Sequence, residues 1–120
     1  MRRTFLHAKL HRARVTTTDS NYEGSLALDS GLMEACGLMP FEMVHVYNVS
    51  NGERFSTYLI RAERDSGRVD IYGAAALKAS VGDVLIIAAY AELDDEEAAF
   101  LRPRVLILDE RNRIKARREV

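Results

Sequence analysis

Short apolar runs and polar breaks succeed one another along nearly the whole chain. From Thr4 to Thr18, β-branched and apolar residues roughly alternate with basic or polar ones, which predicts a long half-buried strand. The polar stretch Thr16 to Gly24 reads as a loop or a second short strand. Asp29-Ser30 is a plausible N-cap for a short helix over Gly31 to Cys36, with Gly37 as its stop. Met43 to Val49 and Phe55 to Ile60 read as strands joined at Asn51-Gly52, a hairpin signal. Val69 to Tyr72 is a further strand, broken by the small residues Gly73-Ala74-Ala75-Ala76. Val81-Gly82-Asp83 turns the chain into a buried strand, Val84 to Tyr90. Asp94-Asp95-Glu96-Glu97 opens a short helix with acids at its N-terminus, as the helix dipole favours, and Pro103 ends it. Arg104 to Leu108 is expected as the last strand, with a loose charged tail. Many short strands with frequent turns predict an all-β fold with short helices, a barrel or a sandwich.

The length, 120 residues, and an apolar share of 48% suit a single domain, 1–120, with a real core. A net charge of -1 gives no general attraction to nucleic acid. The basic N-terminal stretch (Arg2, Arg3, Lys9, Arg12, Arg14) lacks interleaved aromatic residues. So does the tail with Arg111, Arg113, Lys115, Arg117 and Arg118, and both read as solvated faces or local anion sites. Cys36 is the only cysteine, so no intrachain disulfide forms, and its apolar surroundings predict a buried structural thiol. No apolar run has the length that a bilayer requires, and the N-terminus lacks a signal peptide's hydrophobic stretch, so the expected location is cytoplasmic.

The pair Gly24-Ser25, inside Asn21-Tyr22-Glu23-Gly24-Ser25, is by itself an ordinary turn signal. Its company is more specific. Lys9-Leu10-His11-Arg12 lies upstream. Asn51-Gly52-Glu53-Arg54, Thr57-Tyr58 and Gly73-Ala74-Ala75-Ala76 lie downstream. In this order and spacing the segments resemble the aspartate 1-decarboxylases, small bacterial enzymes that cut their own backbone at Gly-Ser. The resemblance runs from about Arg3 to Leu108. It implies a small double-psi β-barrel and self-cleavage into pieces 1–24 and 25–120. It also implies a pyruvoyl group made from Ser25, which forms a Schiff base with L-aspartate. The product, β-alanine, feeds pantothenate and so coenzyme A. Neither metal nor pyridoxal phosphate is needed. A homotetramer with sites between subunits is implied, and an accessory maturation factor is left open.

The chemistry explains why these residue types are required. Serine is a weak nucleophile, so attack on the Gly24 carbonyl needs help. Strain at Gly24 is one expected source, and a donor to the developing oxyanion is another. The resemblance gives the donor role to Thr57. It gives a substrate-carboxylate role to Arg54, whose planar fork suits a carboxylate. Neutralising the departing carboxylate would favour the charged ground state, so Arg54 is assigned to the side-chain carboxylate that stays. Lys9 and His11 share one face of the predicted strand; Leu10 and Arg12 face the other way, and His7 shares the first face. The resemblance puts Lys9 with substrate and His11 nearby. It makes Tyr58 the proton donor to the carbanion. It lines the pocket with Gly73, Ala74 and Ala75, and sets Tyr22 close by. Adjacent Thr57 and Tyr58 can both serve only at different subunits' sites or on an irregular strand.

Tyr72 departs from the family pattern, which usually has asparagine there. Tyr47 stands where tryptophan is common. Three other readings stay open on the residues alone. One is a pyruvoyl decarboxylase of another small acidic amino acid. Another is an unprocessed ligand-binding barrel that Tyr72 keeps whole. The third is a small β-domain regulator that binds DNA through the basic N-terminus.

Overall fold

The computed structural model describes residues 1–119. Nine strands form: β1 (Arg3–Arg14), β2 (Thr17–Asp19), β3 (Ser25–Asp29), β4 (Met43–Asn48), β5 (Arg54–Ala62), β6 (Val69–Tyr72), β7 (Val84–Leu93), β8 (Arg104–Leu108) and β9 (Ile114–Glu119). Two short helices, α1 (Ser30–Cys36) and α2 (Asp95–Ala98), and a 3-10 segment, Gly73–Lys78, complete the elements among the described residues.

The strand order is β2-β6-β3-β5-β4-β7-β1-β8-β9. β1 runs straight into β2 through Val15 and Thr16. The Val15 amide donates to the Asp83 carbonyl at 3.0 Å and the Thr16 amide to the Val69 carbonyl at 2.9 Å. The series from β2 to β1 therefore begins and ends on one stretch of chain, and the sheet closes. Closure leaves no open edge along those strands. β1–β8, β2–β6 and β3–β5 pair in parallel, each across a long connection, and the other pairs are antiparallel. This closed, crossed sheet with short helices is the small double-psi β-barrel that the resemblance implies.

Alternation places the core. Ala8, Leu10, Leu26, Leu28, Val44, Val46, Leu59, Ile71, Leu85 and Ile87 are buried inside the barrel. Each large aliphatic side chain so buried contributes about 1.5–3 kcal/mol. Lys9 and His11 lie on the opposite face of β1 from Leu10. Two bulges, between Leu6 and Ala8 and between His11 and Ala13, break that strand's alternation. His7 is the extra residue of the first bulge and meets Glu42 at 2.6 Å. The second corrects an expectation: Arg12, with φ 70°, is exposed rather than on the buried face with Leu10.

α1 caps one end of the barrel, with Leu32, Met33 and Cys36 buried. The Asp29 carboxylate accepts the Gly31, Asp65 and Gly67 amides, and Gly37 ends the helix at φ 71°. Burial pushes the Cys36 thiol up to about 12, so it stays protonated and inert. α2 stops at Ala98, before Pro103. The tail departs from expectation: it folds back as β9 against β8, with Ile114 packed on the core. Asp109 makes that turn, accepting the Arg111 and Arg113 amides at 2.9 and 3.0 Å.

Candidate active site

Three strands bring a tyrosine to each side of Ser25. Ser25 opens β3 and faces Tyr72 of β6 in the antiparallel register. Leu26 pairs with Leu59 in the parallel register, which sets Tyr58 of β5 on the other side of Ser25. Leu26, Leu59 and Ile71 point into the core, so Tyr72, Ser25 and Tyr58 form one row on the outer face. Met43 continues the row opposite Tyr58. Ser25 is only 4% exposed, yet it borders a cleft of about 740 Å³ with Tyr22, Phe41, Tyr58, Ile60 and Tyr72. Asn21 and Glu23 complete the lining, which contains no lysine or arginine.

The backbone next to the candidate bond is held by a different glycine from the one expected. Gly24 is not among the glycines with positive φ. Gly73 is, at φ 79°, and a Cβ built on it would lie 2.4 Å from the Gly24 Cα and 2.6 Å from its nitrogen. The close approach therefore requires glycine at 73, and strain expected at Gly24 sits across the strand pair instead.

Tyr72 is fixed from below. Its hydroxyl donates to Asp70 Oδ2 at 3.2 Å. Asp70 is 5% exposed and also accepts from the Thr16 hydroxyl at 2.5 Å and from Arg68 Nε at 3.2 Å. Burial and the Asp70 charge raise the Tyr72 phenol above its ordinary value. The Tyr22 ring meets Tyr72 edge-on with centroids 5.5 Å apart. Phe41 reaches the cleft from a loop in which its own φ is 68° and its amide donates to the Leu59 carbonyl at 2.7 Å. Glu42 ties that loop down through His7 Nε2 and the Met39 amide at 3.0 Å.

Arg54, Lys9 and His11 lie elsewhere on the outer face. Across β5, β4, β7 and β1 the register lines up Arg54, Tyr47, Ile86 and His11 in one row, and Ser56, His45, Ala88 and Lys9 in the next. The Arg54 guanidinium sits over the Tyr47 ring, 4.4 Å from its centroid. The Tyr47 and Tyr90 hydroxyls are 2.7 Å apart, and His45 packs edge-on to Tyr90. Among the described residues neither Arg54 nor Lys9 has an acidic partner. Burial first, then Lys9, Arg12 and Arg118, lower the His11 imidazole. Its Nδ1 has no partner among the described residues.

Of the residues singled out in the sequence, Tyr22, Gly24, Ser25, Tyr58, Tyr72 and Gly73 come together in one chain. Arg54, Lys9 and His11 do not join them. β5 runs in regular register past Thr57 and Tyr58, so Thr57 faces inward with Phe55 and Leu59, away from the cleft. Ala74 is exposed and Ala75 packs on the core, and neither borders the cleft. Asp70 and Phe41 were missed. Asp70 shares a strand face with Tyr72 two residues on, a signal the sequence carried; Phe41 depends on a loop conformation that it did not. No group of three or more metal-ligating side chains occurs among the described residues.

Residues 1–115 match the family model described as Aspartate decarboxylase. The chain is 50% identical to the aspartate 1-decarboxylase of Ralstonia pickettii over 119 residues, 99% of both proteins. It is 50% identical to that of Cupriavidus taiwanensis over 120 residues, all of both chains. With that of Methylobacillus flagellatus it shares 50% identity over 119 residues, 99% of this chain and 94% of the relative. The chain belongs to the aspartate decarboxylase family.

Proposed function

We propose that this protein removes the α-carboxylate of L-aspartate, giving β-alanine and CO2 for pantothenate and coenzyme A synthesis. In this reading a pyruvoyl group made from Ser25 by self-cleavage at Gly24-Ser25 serves the reaction. The observation that carries it is Ser25 itself, out of water at the strand end, between two tyrosines, with Gly24 seated against Gly73. A pyruvoyl group is no bulkier than the serine it replaces, so the cleft accepts it. When formed, it supplies an electron-withdrawing carbonyl that captures the substrate amine and eases loss of CO2.

The chain's own residues then divide the work. Tyr58 borders the cleft beside Ser25 and delivers a proton to the substrate α-carbon. The oxyanion role given to Thr57 requires approach from the inner side of β5, the side it faces. Arg54 and Lys9 supply the positive charge for carboxylates. Within one chain Arg54 stands about 13 Å along β5 from Tyr58, at 3.3 Å per residue. Its guanidinium turns across to Tyr47. The cleft has no cation of its own. In this reading a second copy presents Arg54 and Lys9 to this cleft, in keeping with the homotetramer with shared sites that the resemblance implies.

Intact mass under denaturing conditions tests the reading. The expected result is two pieces, 1–24 and 25–120, the larger about 17 Da lighter than simple hydrolysis gives. CO2 release from L-aspartate should accompany it, and Ser25→Ala should abolish both. A single chain that stays whole on prolonged warming would sink the proposal and leave an unprocessed binding barrel.

A further inference from the structure

We infer that Tyr72, pinned by Asp70, is a positioning residue that keeps water off the ester formed at Gly24-Ser25 and so directs self-cleavage to the pyruvoyl end. The inference rests on the self-cleaving reading above.

Tyr72 is the residue directly opposite Ser25, and the two side chains share a face. Its hydroxyl is occupied by Asp70, two residues back along β6, so the ring, rooted opposite Ser25, is held on the cleft that both residues line. Asp70 is in turn held by Thr16 and Arg68, which fixes the ring's anchor from two other segments. The exposed Tyr22 ring meets the Tyr72 ring edge-on. The residue after Tyr72 is Gly73, whose backbone lies against Gly24. One short segment therefore grips both halves of the bond to be cut.

The chemistry at this point has two exits. Attack of the Ser25 hydroxyl on the Gly24 carbonyl breaks the peptide C–N bond and leaves an ester, with the Ser25 nitrogen as a free amine. In the productive exit the Ser25 α-proton passes to water and the Cβ–Oγ bond breaks. Gly24 departs as a carboxylate, leaving dehydroalanine at 25. This tautomerises to an imine, water adds, and ammonia leaves, giving the pyruvoyl end. In the other exit water attacks the ester carbonyl first. The bond between the Gly24 carbonyl carbon and the Ser25 oxygen then breaks, and the piece 25–120 keeps an N-terminal serine. Water that attacks the ester carbonyl is harmful, whereas water is useful at the α-carbon, where it takes the proton, and again after the Cβ–Oγ bond has broken. A fixed apolar ring beside Ser25 favours the first exit by shielding the ester.

The test is the composition of the 25–120 piece, read by intact mass, where the two ends differ by about 17 Da. Wild type, Tyr72→Ala, Tyr72→Phe and Asp70→Asn are compared after full cleavage. Tyr72→Ala removes the shield, and the ratio of serine to pyruvoyl ends should rise about tenfold. Tyr72→Phe keeps the ring but frees it, and the ratio should rise about threefold; Asp70→Asn keeps an amide oxygen that accepts the hydroxyl, and the ratio should rise less. The double variant Asp70→Asn/Tyr72→Phe should match Tyr72→Phe alone, since Asp70 acts on the ring through that one bond. A merely structural role would slow total cleavage and leave the ratio alone. Should Tyr72→Ala fail to fold, Tyr72→Phe decides. An unchanged ratio in Tyr72→Phe overturns the inference and spares the decarboxylase reading. Wild-type chain that never splits overturns both.

Discussion

Gly73 carries a constraint that its neighbours do not. It combines φ 79° with a backbone contact where a Cβ would meet Gly24 at 2.4 Å. Gly73→Ala therefore needs both an unfavourable conformation and a displaced Gly24 strand end, a cost of at least about 2 kcal/mol. A lower denaturant midpoint and blocked self-cleavage are expected; cleavage at the wild-type rate would contradict the contact. The sequence showed that residue 73 is a small residue near the site, but not that it, rather than Gly24, holds the unusual backbone. That fact lives in the pairing of β3 with β6, which no local pattern reports. His11 offers a second test at this scale. Its pKa is lowered in the fold, so the neutral form is favoured. Its stabilisation is full above the unfolded value, 6.5, and is lost as pH falls through the lower folded value. Denaturant midpoints measured from pH 7.5 downward should fall below pH 6.5, and His11→Gln should flatten the fall in that window. Tyr58, Ser25 and Tyr22 could be named as candidate site residues only through the resemblance, since tyrosine and serine on strands carry no chemistry of their own.

β9 shows how far an element can hide from pattern. Ile114-Lys115-Ala116-Arg117-Arg118-Glu119 does alternate, but its charge reads as a solvated tail. The strand forms because β8 presents an unpaired edge and Asp109 turns the chain back onto it. Caps were easier to see, because their hydrogen bonds are local. Asp29 caps α1 as expected, and Asp94 with Glu97 forms a full capping box on α2. The bulges in β1 were invisible, since one inserted residue leaves composition and average alternation intact. Removing residues 110–120 should uncover Leu106 and Leu108 and reopen the β8 edge. The loss of the half-buried Ile114 alone is worth about 1 kcal/mol, or roughly 5 °C in Tm for a domain this size. A truncated chain that melts with wild type would show that β9 adds nothing to the barrel.

The whole molecule is a closed barrel whose parallel pairings join distant segments, and such pairings leave no trace in local alternation. The sequence pattern stopped at a barrel or sandwich, and the resemblance supplied the topology. The same topology splits the candidate site. Ser25, Tyr58 and Tyr72 share a row, while Arg54 and Lys9 stand on a part of the outer face that the cleft does not reach. An aspartate held at Ser25 cannot reach an Arg54 about 13 Å along β5, turned to Tyr47. The arrangement yields a complementation test. Arg54→Ala should still cleave itself but raise KM about a hundredfold, the usual scale for losing a charged clamp. Ser25→Ala should be inactive, since the proposed cofactor is made from Ser25. Unfolded together and refolded as mixed assemblies, the two variants should recover activity. With random mixing about one site in four combines an intact Ser25 from one copy with an intact Arg54 from another. Activity near a quarter of wild type, at aspartate concentrations below the KM of Arg54→Ala, is the expected result. No recovery would mean that both residues serve one subunit's site, and the argument from distance would fall with it.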